Sequence, residues 1–127
     1  MSIDDIMNLS EEDLTLIVAE IQGHKNLQWM PNPFEDNGRM LIDRDTNKPI
    51  LSPVDNILAA WNLWREMNQG EPFQWAIFGR SDGEIIIEYF GTGDKRELKQ
   101  GSGLWAITGP DAITITRAYI IARTGEG

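Results

Sequence analysis

The sequence predicts a single α+β domain spanning residues 1–127, an antiparallel sheet of about three to four strands flanked by helices in the order α-(β)-α-β-β-β-α. Three observations carry that prediction. Two apolar-periodic segments open at serines, Ser10 and Ser52. Two β-rich runs, Phe73–Phe78 and Glu84–Phe90, are joined by a turn. A third periodic segment follows Gly109. With 127 residues, 41% of them hydrophobic, the chain is large enough to bury a core and too apolar to stay disordered.

Leu9-Ser-Glu-Glu-Asp-Leu14 reads as a helix start, with residues 1–8 as a tail before it. Ser10 fits the N-cap, Asp13 sits at N3 where its charge suits the helix dipole, and Leu9 and Leu14 occupy the staple positions. Leu14, Ile17, Val18 and Ile21 then form one apolar stripe, and Gly23 supplies the stop. Residues 24–51, HKNLQWMPNPFEDNGRMLIDRDTNKPIL, form an irregular segment punctuated by prolines and Asn37-Gly38. Within it Trp29-Met30 and Met40-Leu41-Ile42 can pair as a short hairpin, which its prolines confine to a sheet edge.

Ser52-Pro53-Val-Asp55 reads as the next helix start, with Ser52 as N-cap, Pro53 at N1 and Asp55 at N3. From Val54 to Met67 only a narrow strip around Asp55, Asn62 and Glu66 is polar. Such a helix packs on two sides: it lies deep in the fold, or its spare face, with Trp61 and Trp64, meets another copy in a homo-oligomer.

Arg80-Ser-Asp-Gly83 is the turn of the hairpin, Gly83 taking the left-handed position. Alternation puts Ile85, Ile87 and Tyr89 on the buried face, and Glu84, Ile86 and Glu88 on an exposed one. Gly91–Gly103 is a polar loop, and Leu104–Ile107 adds a third strand. Ile113-Thr-Ile-Thr116 has the alternation of a strand, yet Ala112, Ile115, Thr116, Tyr119 and Ile120 fall on one helical stripe. β-branched residues cost a helix only a few tenths of a kcal/mol each, which packing overrides. An uninterrupted run of about fourteen residues is long for a strand, and Thr108 as N-cap with Asp111 at N3 favours the helix.

The net charge of −9 is uneven: residues 1–55 carry eleven acids against four bases. That polarity opposes direct binding to nucleic acid, which needs positive surface to displace counterions. It leaves a solvated acidic face, a mimic of nucleic acid, or a patch aimed at a basic protein. Without cysteine no disulfide or thiolate metal site can form, which suits a reducing compartment. The first residues, MSIDDI, lack the pattern of a secretory leader, and no apolar run nears the roughly 20 residues of a membrane span. A cytoplasmic protein without membrane contact is expected.

Catalytic patterns are sparse. His24, the one imidazole, reads as a solvated loop residue, and no serine lies in a nucleophile-elbow motif. Asp43-Arg-Asp45-Thr-Asn47 begins like a calcium loop, but Lys48 stands where glycine is required and Val54 where the closing glutamate is required. Glu84 and Glu88 lie about 13 Å apart at strand rise, beyond the carboxylate spacing of glycoside hydrolysis. No cofactor, metal or catalytic set is expected; an enzyme would depend on acids of the 35–45 loop. Gly91-Thr-Gly-Asp-Lys-Arg96 faintly resembles a phosphate cradle without P-loop spacing. With five tryptophans available for stacking, the candidate ligand-binding residues are Trp29, Arg39, Trp75, Lys95, Arg96 and Lys99.

The stretch Ser52-Pro-Val-Asp-Asn-Ile-Leu-Ala-Ala-Trp61, the strand around Trp75, and Thr108-Gly-Pro-Asp-Ala-Ile113 leading into Ala118 together resemble the small bacteriophage proteins grouped as the phage ABA sandwich domain. The likeness spans most of residues 9–123 and departs from the family at His24, which stands where a tryptophan usually closes the first helix. It implies a sheet flanked by helices and a phage or prophage origin, with action in the cytoplasm of the infected host; it implies no particular chemistry. The expectation is a non-enzymatic, homo-oligomeric anti-defence protein that sequesters a phosphate-bearing small molecule such as a nucleotide immune signal. The alternatives are an acidic inhibitor of a basic host protein and a structural or assembly protein.

Overall fold

The computed structural model describes residues 2–34, 38–68, 73–92 and 100–124. The first residues form a helix where a tail was expected. In α1 (Ile3–Met7) the Ser2 hydroxyl accepts from the Asp5 amide and the Asp5 carboxylate accepts from the Ser2 amide, a reciprocal cap. This short turn persists because Ile6 is fully buried in the core.

Helix α2 (Glu11–Ile21) starts as expected, the Ser10 hydroxyl accepting from the Asp13 amide at 3.1 Å. It ends in a Schellman turn: the Gly23 amide donates to Glu20 O, the His24 amide to Ala19 O, and Gly23 takes a φ of 94°. Leu14 and Val18 are buried, and Ile17 and Ile21 pack partly against the core.

The segment 24–51 is more regular than expected. Strands β1 (Leu27–Pro31), β2 (Arg39–Asp43) and β3 (Lys48–Ile50) form an antiparallel sheet in sequence order. The hairpin register sets Trp29 opposite Leu41 and Met30 opposite Met40; the unforeseen β3 pairs Pro49 with Ile42. Each outer strand contains a proline, Pro31 and Pro49, as edge strands tolerate. Residues 44–47 are the β2–β3 turn, Asn47 taking a φ of 55°.

Helix α3 (Ile57–Met67) starts later than expected. Pro53–Asp55 form a turn, Asn56 is the N-cap with its Oδ1 accepting from the Ala59 amide, and the Ser52 hydroxyl instead pairs with that of Thr15 at 3.2 Å. Ala60, Leu63 and Met67 are buried and Trp64 packs partly on the core, whereas Ile57, Leu58 and Trp61 remain exposed.

A second antiparallel sheet, again in sequence order, joins β4 (Phe73–Gly79), β5 (Ile85–Thr92) and β6 (Trp105–Gly109). The β4–β5 turn forms as expected, the Arg80 amide donating to Glu84 O and Gly83 taking a φ of 85°. The row Ile77–Ile87–Ile107 crosses the sheet on the core side. Among the described residues the architecture is thus α+β with two three-stranded sheets and four helices.

Glu88 does not lie on an exposed face. It is 3% exposed, its carboxylate accepting from the Gly101 amide at 2.6 Å and the Gly103 amide at 3.0 Å. The chain returns across this face, and a Cβ on Gly103 would stand 2.8 Å from Glu88 Oε2, so glycine is needed for the approach.

Helix α4 (Asp111–Thr124) forms in spite of its β-branched run. Thr108 is not its cap; it belongs to β6, donating to Ile85 O and accepting from the Arg80 guanidinium, while the Thr114 amide donates to Pro110 O in the first helical turn. Eight residues of α4 are buried, Tyr119 and Ile115 completely, and the helix contacts α1, α2, α3, β5 and β6. The enclosure expected of α3 therefore belongs to α4.

Candidate functional site

The larger described cavity, about 440 Å³, is an open groove between the first turn of α2, the β1–β2 hairpin and the connection from β3 to α3. Each wall follows from local sequence. The Ser10 cap sets Glu11 and Glu12 on one rim. The hairpin register puts Trp29 and Arg39 on one face as diagonal neighbours. The turn before the Asn56 cap brings Asp55 to the opposite rim, and Phe34 (91% exposed) and Leu51 (66% exposed) add apolar surface.

Within the groove Arg39 Nη2 lies 2.6 Å from Glu12 Oε2, and its guanidinium carbon stands 5.4 Å from the Trp29 ring centroid, a cation–π contact. Among the described residues the charged lining is Glu11, Glu12 and Asp55 against Arg39. The groove is consequently aromatic and acidic, with its cation already engaged.

Of the six candidate binding residues, the structure brings two together, Trp29 and Arg39. Trp75 is not in the groove: it is 8% exposed and packs against Tyr89 at 4.5 Å and Trp105 at 5.3 Å between centroids, within the core beside the second sheet. Lys95, Arg96 and Lys99, with most of the glycine loop, lie outside the described residues, as do Glu35 and Asp36. Sequence reasoning missed Glu11, Glu12, Phe34, Leu51 and Asp55 as groove residues. Only tertiary contact assembles them, and no local spacing announced it.

His24 lies in a loop as expected and stays partly exposed, but it is not free in solvent. Its Nδ1 is 2.7 Å from Oδ2 of the buried Asp43, whose Oδ1 accepts from the Asp45 amide. The histidine hydrogen bond, followed by the Asp45 amide, holds the Asp43 carboxyl below its ordinary 3.8. His24 also lines a smaller cavity of about 250 Å³, which shares residues 49–51 with the main groove. Among the described residues no serine, threonine or cysteine lines that cavity, and the Asp–His pair ties β2 to the loop that follows α2. Among the described residues no group of three or more His, Asp or Glu is placed to hold a metal ion, and no helix is long and apolar enough to cross a membrane.

No family model matches the sequence, and no curated protein and no solved structure is significantly similar to it.

Proposed function

We propose that the chain is a non-enzymatic binding module whose groove takes a basic, partly apolar segment of another protein. The observation that supports this most directly is the charge of the groove: three carboxylates face one guanidinium, and that guanidinium is bound by Glu12. A basic segment gains from that field, and the exposed Phe34 and Leu51 offer apolar contact that a purely electrostatic mimic would lack. The groove also lies within the acidic first half of the chain, where the net charge is −7. Taken with the expected likeness to phage ABA sandwich proteins, the reading we propose is an anti-defence inhibitor of a basic host protein, acting in the infected cell's cytoplasm.

A second reading keeps the phosphate-bearing small molecule. It is favoured by the stack of Arg39 on Trp29, an arrangement able to hold a base and a phosphate once Glu12 lets go. The two readings separate in one NMR titration. An Arg/Lys-rich peptide with one aromatic residue should shift amides at 11–15, 39–41 and 51–56, less so as salt rises, while ADP-ribose and cyclic dinucleotides leave them in place. Shifts there with a nucleotide and none with the peptide would reverse the order of the readings; silence from both would remove the groove as a site.

A further inference from the structure

We infer that the exposed face of α3 pairs antiparallel with the same face of a second copy, about a two-fold axis that sets Asp55 of each chain against Arg65 of the other. Leu58, Trp61, Asn62 and Arg65 recur at the spacing of one helical face, opposite the buried Ala60, Leu63 and Met67. Leu58 is 74% exposed and Trp61 40% exposed, much apolar surface for one short helix to leave in water. Trp61 carries this face; Trp64 is turned to its own core.

Charge selects the occupant. Asp55, exposed in the turn before the N-cap, and Arg65, exposed in the last turn, bracket Leu58 and Trp61 along the chain with opposite charges. Neither side chain has an ion-pair partner among the described residues. An isologous contact requires a surface complementary to itself, and antiparallel pairing centred near residue 60 brings both opposite-charge pairs into register with Leu58 and Trp61 about the axis. The net charge of −9 opposes unspecific self-association, whereas the charges of Asp55 and Arg65 cancel.

The pairing also alters the groove, because Asp55 lines it. Arg65 of the second copy then stands at its rim, so each groove is completed by the other chain. The pairing therefore bears on the proposed function, since Asp55 is one of the three carboxylates that reading uses; sedimentation without any added peptide or nucleotide tests the pairing apart from it.

Sedimentation of the full chain across micromolar concentrations tests the pairing. The mass should rise from 14.4 kDa towards twice that value, and Leu58→Glu should stay monomeric with an unchanged circular dichroism spectrum, its site being exposed. Asp55→Arg or Arg65→Asp alone should weaken association about tenfold by setting like charges together. The double variant Asp55→Arg/Arg65→Asp should recover to within about threefold of the wild type, because the swap restores both pairs. A monomer at every concentration, a dimer indifferent to Leu58→Glu, or a double variant weaker than either single one would overturn the proposal.

Discussion

The two sheets of this protein have the same number of strands and the same strand order, yet they serve opposite ends. The β4–β5–β6 sheet lays Ile77, Ile87 and Ile107 against α4, and its chemistry is that of a hydrophobic core. The β1–β2–β3 sheet contributes nothing to that cluster; it buries Leu41 and Ile42 and is tied to α2 by Arg39–Glu12 and His24–Asp43. Identical topology thus supplies a scaffold in one place and the wall of a polar groove in the other. What separates them is the partner: a largely buried helix for one, a capped helix rim for the other.

Substitutions should sort by sheet. Truncating the scaffold, as in Ile87→Ala, removes a fully buried side chain between two strands and α4, and should cost about 2–5 kcal/mol in denaturant unfolding. A loss below about 1 kcal/mol would mean that the second sheet is no more a core than the first. Next comes Glu88→Ala, which strands the Gly101 and Gly103 amides and should cost about 1–3 kcal/mol.

Breaking the tie that Glu66 makes between α3 and α4, where it accepts from the Tyr119 hydroxyl and the Arg123 guanidinium, should cost about 1 kcal/mol in Glu66→Ala. Burial, and then the Glu66 charge, raise the Tyr119 hydroxyl above its ordinary 10.0. Spectroscopic titration of tyrosine should show that value fall on removing Glu66, and no change would break the assignment.

The groove sheet should respond mainly to pH. Asp43 has a lowered folded pKa, so its contribution is present above the ordinary 3.8 and is lost as the pH falls through the folded value. Asp43→Asn should therefore be less stable than the wild type at neutral pH and approach it as the pH falls through the lowered folded value. A constant difference down to acid pH would show that this tie is not electrostatic. The smallest effect is expected from Glu12→Gln, a half-exposed ion pair on the groove rim, at under about 1 kcal/mol of stability.

Local signals were legible in the sequence. The Ser10 cap, the Gly23 stop and the Asp82-Gly83 turn all stand where side-chain chemistry put them. The hairpin through Trp29 and Met40 was legible too, and with it the neighbours Trp29 and Arg39. Features decided by distant chain were not. Ser52 met the rules for a cap, but its hydroxyl goes to Thr15 and Asn56 takes the role. Glu88 alternated onto a face that looked wet until residues 101–103 crossed it. Trp29 and Trp75 are equivalent in local pattern; only packing sends one to the groove and the other into the core.

The prolines on the margins of the smaller sheet have one more effect. Pro31 and Pro49 each leave a gap in the row of amide donors on an outermost strand, so a foreign strand meets an interrupted ladder on either flank. Fibril-like growth by strand addition is discouraged at both margins, and whatever this end of the molecule grips must be held by side chains.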